Sequence, residues 1–244
     1  MQNVRNEWMK LIHKRSTMVF LILSALFPLL IGLAMNSLQH RLHFTAFDGE
    51  SFPLMILSLA VTIYLPLLLA LTVSDTFPGE QEKKTLSFIL VRPISRFKLF
   101  TSKILSTSIY LLTLLVILCI SSIVTGAIWL DNFTVHGLVM GVSAYILSWF
   151  PLMALSLLLV FFVQWLGSSS RAITFSIILY LIMVVLTFLF PTVATWLPTY
   201  DSNWYQRWMN NGISGVVMGR TVYLLSWCSL FFTLGYYKFT RKEF

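Results

Sequence analysis

Charge is scarce in this sequence. Asp, Glu, Lys and Arg make up 11% of its 244 residues, and 57% are hydrophobic. An ordinary soluble domain is about a quarter charged, so a water-soluble globular fold is excluded. There are two cysteines, Cys119 and Cys228, both inside apolar runs. They read as packing residues and give no redox signal. The signatures of catalysis are missing as well. There is no His-Glu-x-x-His for zinc and no Gly-x-Ser-x-Gly for a serine nucleophile. Gly79 to Thr85 lacks the second glycine that a phosphate loop carries before Lys-Thr. The four histidines, His13, His40, His43 and His136, lie outside the long apolar runs or at their ends, and no run holds an ionisable residue near its centre. A proton-driven carrier needs such buried groups to relay charge. His40, His43, Asp48 and Glu50 share one loop without tight ligand spacing, which argues against a metal there. The sequence therefore points away from an enzyme, and no catalytic, cofactor-binding or metal-binding residue is expected.

What is present is a series of apolar runs of eighteen residues or more, the mark of membrane-spanning helices. Six spans are expected, at residues 18–35, 54–74, 104–130, 137–163, 172–190 and 213–237. The fold class is an all-α membrane protein. The first run is too long for a removable leader and has no small-residue cleavage site after it, so it reads as a retained span. A net charge of +8 raises nucleic acid as a partner, but the distribution of the charge accounts for it better. With both termini cytoplasmic, fourteen of the seventeen Lys and Arg fall inside and three outside (Arg41, Arg207 and Arg220). That satisfies the positive-inside rule, and no nucleic-acid partner is expected.

Residues 1–17 place Val4, Trp8, Leu11 and Ile12 on one stripe among Arg5, Lys10, Lys14 and Arg15. This pattern fits an interfacial amphipathic helix, or else a basic leader that only sets orientation. Residues 18–244 form the six-span domain. Its most patterned stretch is the charged island at 75–103, which holds three of the nine acids and six of the seventeen bases. Pro78 and Gly79 are expected to break the chain after the second span. From Glu80 to Val91 nothing breaks a helix, and Leu86, Ile89 and Leu90 form one apolar face. Pro93 then stops it. The residues allow a short surface helix on the cytoplasmic side, or a loop that merely joins two spans. Small residues at Gly137-x-x-x-Gly141 and Gly215-x-x-x-Gly219 allow close helix approach. At 192–212, Trp196, Tyr200, Trp204, Tyr205 and Trp208 recur among polar residues. They read as an outer interfacial or re-entrant element, or as an ordinary aromatic belt. Arg220, near the start of the last span, is expected to snorkel outward or to pair.

The island resembles the cytoplasmic loop of ABC-2 type permeases, the membrane subunits of a class of bacterial ABC exporters. It has Gly79-Glu80, Glu82, Thr85-Leu86, Leu90, Pro93-Ile94-Ser95-Arg96 and Lys103 in the order of that family. Lys84 and Ser102 stand where the family often has glycine. The resemblance implies a permease in the bacterial cell membrane that forms a translocation path. Two copies of a separate ATPase subunit, which bind ATP and Mg, would drive it, alongside a second permease copy or homologue and membrane lipid. It implies an ATPase-coupling surface at Glu80, Glu82, Lys83, Lys84, Thr85, Leu86, Arg92, Pro93 and Arg96. It also supports the elbow reading of the first helix and a short outer hairpin before the last span. A peptide antibiotic, drug or other amphipathic cargo follows from family habit, with antibiotic resistance as one outcome. The reading from another class is a non-transporting anchor for a cytoplasmic partner, held through the same island.

Overall fold

The computed structural model describes residues 2–42, 48–82, 95–130, 133–212 and 214–241. Those residues are helical throughout their ordered elements, with no strand among them. Six stretches are long and apolar enough to cross a membrane: Arg15–Gln39, Phe52–Glu82, Arg96–Trp129, Val135–Val163, Ser169–Leu189 and Gly215–Thr240. The expected six-span, all-α class is therefore observed. In chain order the elements are α1 (Gln2–Ile12), α2 (Arg15–Leu42), α3 (Phe52–Leu59), a π-helical segment (Ala60–Tyr64), α4 (Leu65–Thr76) and α5 (Pro78–Glu82). Then come α6 (Arg96–Trp129), α7 (Val135–Val163), α8 (Ser169–Leu189), α9 (Pro191–Ala194), a 3₁₀ turn (Pro198–Asp201), α10 (Trp204–Asn211) and α11 (Gly215–Thr240).

The centre is α7, with 67% of its apolar window buried, packed against α4, α6 and α11. The corresponding windows of α2 and α11 are 17% buried, which puts those two helices at the periphery. The N-terminal stripe falls on a helix, α1, over Gln2–Ile12. This helix lies along α6, where Leu11 is buried and Ser106 Oγ donates to the Val4 carbonyl at 3.3 Å.

Two boundaries differ from the sequence reading. Pro78 and Gly79 do not end the second span. The chain turns only at Phe77 and resumes as α5, because proline fits the first turn of a helix, where its missing N–H costs nothing. The third span begins at Arg96 rather than at 104, since Ser95 caps it, its Oγ accepting from Lys98 N at 3.4 Å. At 34 residues α6 is about 51 Å long, well over the ~30 Å apolar layer, and its three charged residues, Arg96, Lys98 and Lys103, all lie in its first turns.

The π segment sits where Pro66 removes a donor. In a regular helix an amide at 66 would engage the Thr62 carbonyl. That carbonyl instead accepts from the Tyr180 hydroxyl of α8, and Leu65 N reaches back to the Ala60 carbonyl. A neighbouring helix thus satisfies the freed group, as a membrane interior requires. Tyr180→Phe removes this bond to the Thr62 carbonyl and should cost about 1–2 kcal/mol. The check is a lower melting temperature in detergent, with no change for Tyr237→Phe on the exposed face of α11.

Close approaches explain the first small-residue pair and not the second. A Cβ on Gly137 would meet Glu50 Cγ at 2.6 Å, and one on Gly141 would meet Pro53 Cβ at 3.3 Å, so both glycines seat the start of α3 against α7. Gly215 and Gly219 have nothing within 4 Å of such an atom. Their side of α11 is open.

Candidate functional site

At the end of the bundle that carries α1, one buried cation gathers three elements. Lys103, on α6, has no exposed surface. Its Nζ donates to Glu7 Oε2 on α1 at 3.0 Å and to Glu80 Oε2 on α5 at 2.5 Å, and lies 3.4 Å from the Thr76 carbonyl at the end of α4. Glu7 also takes Lys10 at 2.7 Å. Burial pushes the Glu7 carboxyl up, but Lys103 and Lys10 pull it further the other way, and it titrates below its ordinary value. A lysine taken out of water is tolerable only with such partners.

The other side of α5 is tied to α8. Glu82 Oε2 accepts from the Ser169 amide at 2.9 Å, and Asp75 Oδ1 accepts from Ser169 Oγ at 2.8 Å. The unpaired amides of a helix N-terminus suit a carboxylate, and Ser169 opens α8. Arg96 donates to the Thr240 carbonyl in the last turn of α11, a favourable place for a cation. Beside these polar ties lies an aromatic knot centred on Phe100, which is fully buried. Its ring sits 5.4 Å from Phe232, 5.4 Å from Phe239 and 6.0 Å from Phe77.

Of the sequence-derived coupling residues, the structure therefore brings Glu80, Glu82 and Arg96 to one end of the bundle. Each is engaged there: Glu80 turns inward to Lys103, Glu82 reaches α8 and Arg96 reaches α11. Lys83, Lys84, Thr85, Leu86, Arg92 and Pro93 lie outside the described residues, and the expected helix over 80–91 falls inside them only as far as Glu82. Sequence reasoning did not assign Glu7 to the site. The available signal was its isolation as the only acid before Asp48, on a helix otherwise basic.

A second polar cluster occupies the opposite end. Asp201 is fully buried, 3.2 Å from Arg207 Nη1 and 4.0 Å from Arg220 Nη1. Burial pushes its carboxyl above the ordinary range, and the two arginines offset that only in part. Arg220 also donates to the Thr195 carbonyl at 2.8 Å, so it pairs with neighbours. Trp204 and Tyr205 are 1% exposed, and Trp204 packs edge-on against Phe150 of α7. The 3₁₀ turn and α10 are thus packed on α7 and α9 on α8, and among the five aromatics only Trp196, 68% exposed, has the exposure of an aromatic belt.

A family model described as ABC-2 family transporter protein matches residues 3–187. The chain belongs to that family. The match begins within α1, runs through all the residues around Lys103 and Ser169, and ends inside α8. No curated protein matches the chain. The permease is accordingly a multi-pass membrane component of an ABC transporter, a transport subunit rather than a catalytic one, and its family associates with an ABC ATPase subunit.

Proposed function

We propose that this permease is the membrane half of an ATP-driven exporter, and that the 75–103 loop is where an ATPase moves it. The end bearing α1 faces the cytoplasm of a bacterial cell. Two ATPase chains bind ATP and Mg, and two permease copies, identical or homologous, form the path between them. The cargo is an amphipathic molecule such as a peptide antibiotic or a drug, so that export confers resistance. The observation that carries the reading is the double anchorage of α5. Glu80 binds α1 and α6 through Lys103, while Glu82, alongside Asp75 of α4, holds α8 through Ser169. A push on the loop just beyond Glu82 would be transmitted to three elements at once. ATP can shift the spans only if the ATPase touches the loop differently in its two states, and Lys83, Lys84 and Arg92 supply charge for that contact.

The test reverses the two charges that follow Glu82 in the sequence. In Lys83→Glu/Lys84→Glu, transport should fall at least about tenfold, the loss of roughly 1.4 kcal/mol of differential contact. The melting temperature should stay within a degree or two. A purified assembly should contain an ATPase with a phosphate loop. Unchanged transport would remove the loop from the coupling route. A copurified partner lacking that motif would favour the anchor reading.

A further inference from the structure

The open side of α11 is shaped and charged. Two adjoining cavities, of about 380 and 320 Å³, share Trp196 and Tyr223 as a common wall. The upper one is bounded by Thr195, Gly219 and Arg220, and the lower one by Ser226, Trp227 and Phe231. The floor is a ladder of rings. Trp196 meets Tyr223 edge-on at 6.3 Å, Tyr223 meets Trp227 at 6.1 Å, and Trp227 stacks on Phe231 at 4.9 Å. The Tyr223 hydroxyl donates to the Trp196 carbonyl at 2.7 Å, which fixes the wall between the two cavities. Gly219 contributes no side chain at the mouth, and nothing stands within 4 Å of where one would project.

The charge lies at one end only. Arg207 and Arg220 share the single carboxylate of Asp201, so the cluster carries a net positive charge. Asp201 is fully enclosed, whereas the Arg220 side chain is 25% exposed. Only one of the five guanidinium N–H groups is committed to the Thr195 carbonyl. The rest of the groove is apolar and aromatic. From Arg220 to Phe231 is eleven residues, about 16 Å of helix, or half of the ~30 Å apolar layer. Val216, Val222, Leu225 and Leu230 flank it, each at least half exposed, as expected of a face lying in hydrocarbon.

We infer that this groove binds one phospholipid with an anionic headgroup. The phosphate rests on Arg220 in the leaflet remote from the termini, and an acyl chain lies along Tyr223, Trp227 and Phe231. The length of a single leaflet, the cation at its wet end and the apolar slot below match that amphiphile. A neighbouring helix from a second copy would present no anion to Arg220 at this depth unless one of its own few acids reached it. Basic pockets between membrane helices recognise lipid headgroups by the same charge-assisted bonds. The site does not depend on the transport reading, because it lies at the opposite end from the coupling loop.

Native mass spectrometry of the purified full-length permease can count bound lipid after exposure to phosphatidylglycerol or phosphatidylcholine with identical chains. The anionic lipid should be retained on the order of tenfold better, as one charge-assisted contact implies. Arg220→Gln should erase the preference. Because that change also touches the Asp201 cluster, Ser226→Trp serves as the second variant. It fills the slot from an exposed position, and should release both lipids while the melting temperature holds. A photo-reactive residue at position 226 should label lipid. Equal retention of the two lipids by the wild-type chain, an unaltered preference in Arg220→Gln, or labelling of a second permease copy would each overturn the assignment.

Discussion

Replacing Lys103 by methionine should stop transport and lower stability by about 3–5 kcal/mol, the usual cost of removing one partner from a buried ionic cluster. Methionine keeps the length of the side chain, so packing is largely preserved and the loss is electrostatic. Glu80, whose side chain is 13% exposed, is left without its 2.5 Å ammonium partner. Glu7 keeps Lys10 but loses the contact that holds α1 on α6. The magnitude belongs toward the lower end of the range. Lys103 lies in the third turn of α6, near the charged start of the helix, and water should reach the carboxylates once the ammonium is gone. A triple variant separates structure from coupling. Glu7→Gln/Glu80→Gln/Lys103→Met removes all three charges together and should recover most of the melting temperature, because an uncharged cluster has no unpaired ion to bury. Transport should remain lost if the cluster relays the push from the loop. Wild-type transport in the triple variant would make the cluster a staple and nothing more. An unshifted melting temperature for Lys103→Met would contradict its burial. The pH dependence has a definite sign. Glu7 titrates lower in the folded chain than in the unfolded one, so its contribution is complete above the ordinary carboxylate value, about 4.3. It is lost as pH falls through the depressed folded value.

How much of this was legible in the sequence depended on whether a feature is local. The six spans are set by uninterrupted apolar length, which a single chain displays openly. The α1 stripe and the aromatic segment before the last span are likewise local patterns. The start of α6 was misplaced because Lys103 was taken to mark water. Its charge is in fact neutralised by Glu7, 96 residues earlier, and by Glu80 across the loop. Pro78 was read as a break, yet the same residue opens α5. Pro66 was visible, but the hydroxyl that bonds the Thr62 carbonyl beside it comes from Tyr180, 118 residues away. Trp204 and Tyr205 carry the composition of an interfacial belt and are nonetheless buried, because α10 packs on α7. Spacing can show that aromatics recur; it cannot show which wall they meet.

Gly32→Ala should change the sign of its effect with the residue opposite. Helix α2 lies along α6, and a Cβ at position 32 would stand 2.2 Å from Thr125 Cγ2, 3.3 Å from Trp129 Cε3 and 3.4 Å from Phe52 Cζ. Thr125 has little freedom to retreat, since its Oγ1 donates to the Ser121 carbonyl at 2.7 Å and rotation about χ1 would break that bond. Overpacking of this kind costs about 1–3 kcal/mol. Against it stands the gain of replacing a mid-helix glycine by alanine, about 1 kcal/mol at most. In the wild-type background the clash wins, and Gly32→Ala should lower the melting temperature. In a Thr125→Ala background the nearest atom is gone and only contacts beyond 3 Å remain. There the propensity gain should dominate, and the same substitution should become neutral or stabilising. The two backgrounds then differ by about 1–3 kcal/mol of pairwise interaction, measurable in a double-mutant cycle of detergent melts. Equal effects in both would mean that α2 and α6 are not held at the separation Gly32 permits. The distance matters beyond stability, because α2 follows α1 after only a two-residue turn at His13 and Lys14. A displaced α2 would draw Glu7 off Lys103, so Gly32→Ala should also reduce transport in the wild-type background, and Thr125→Ala should restore it.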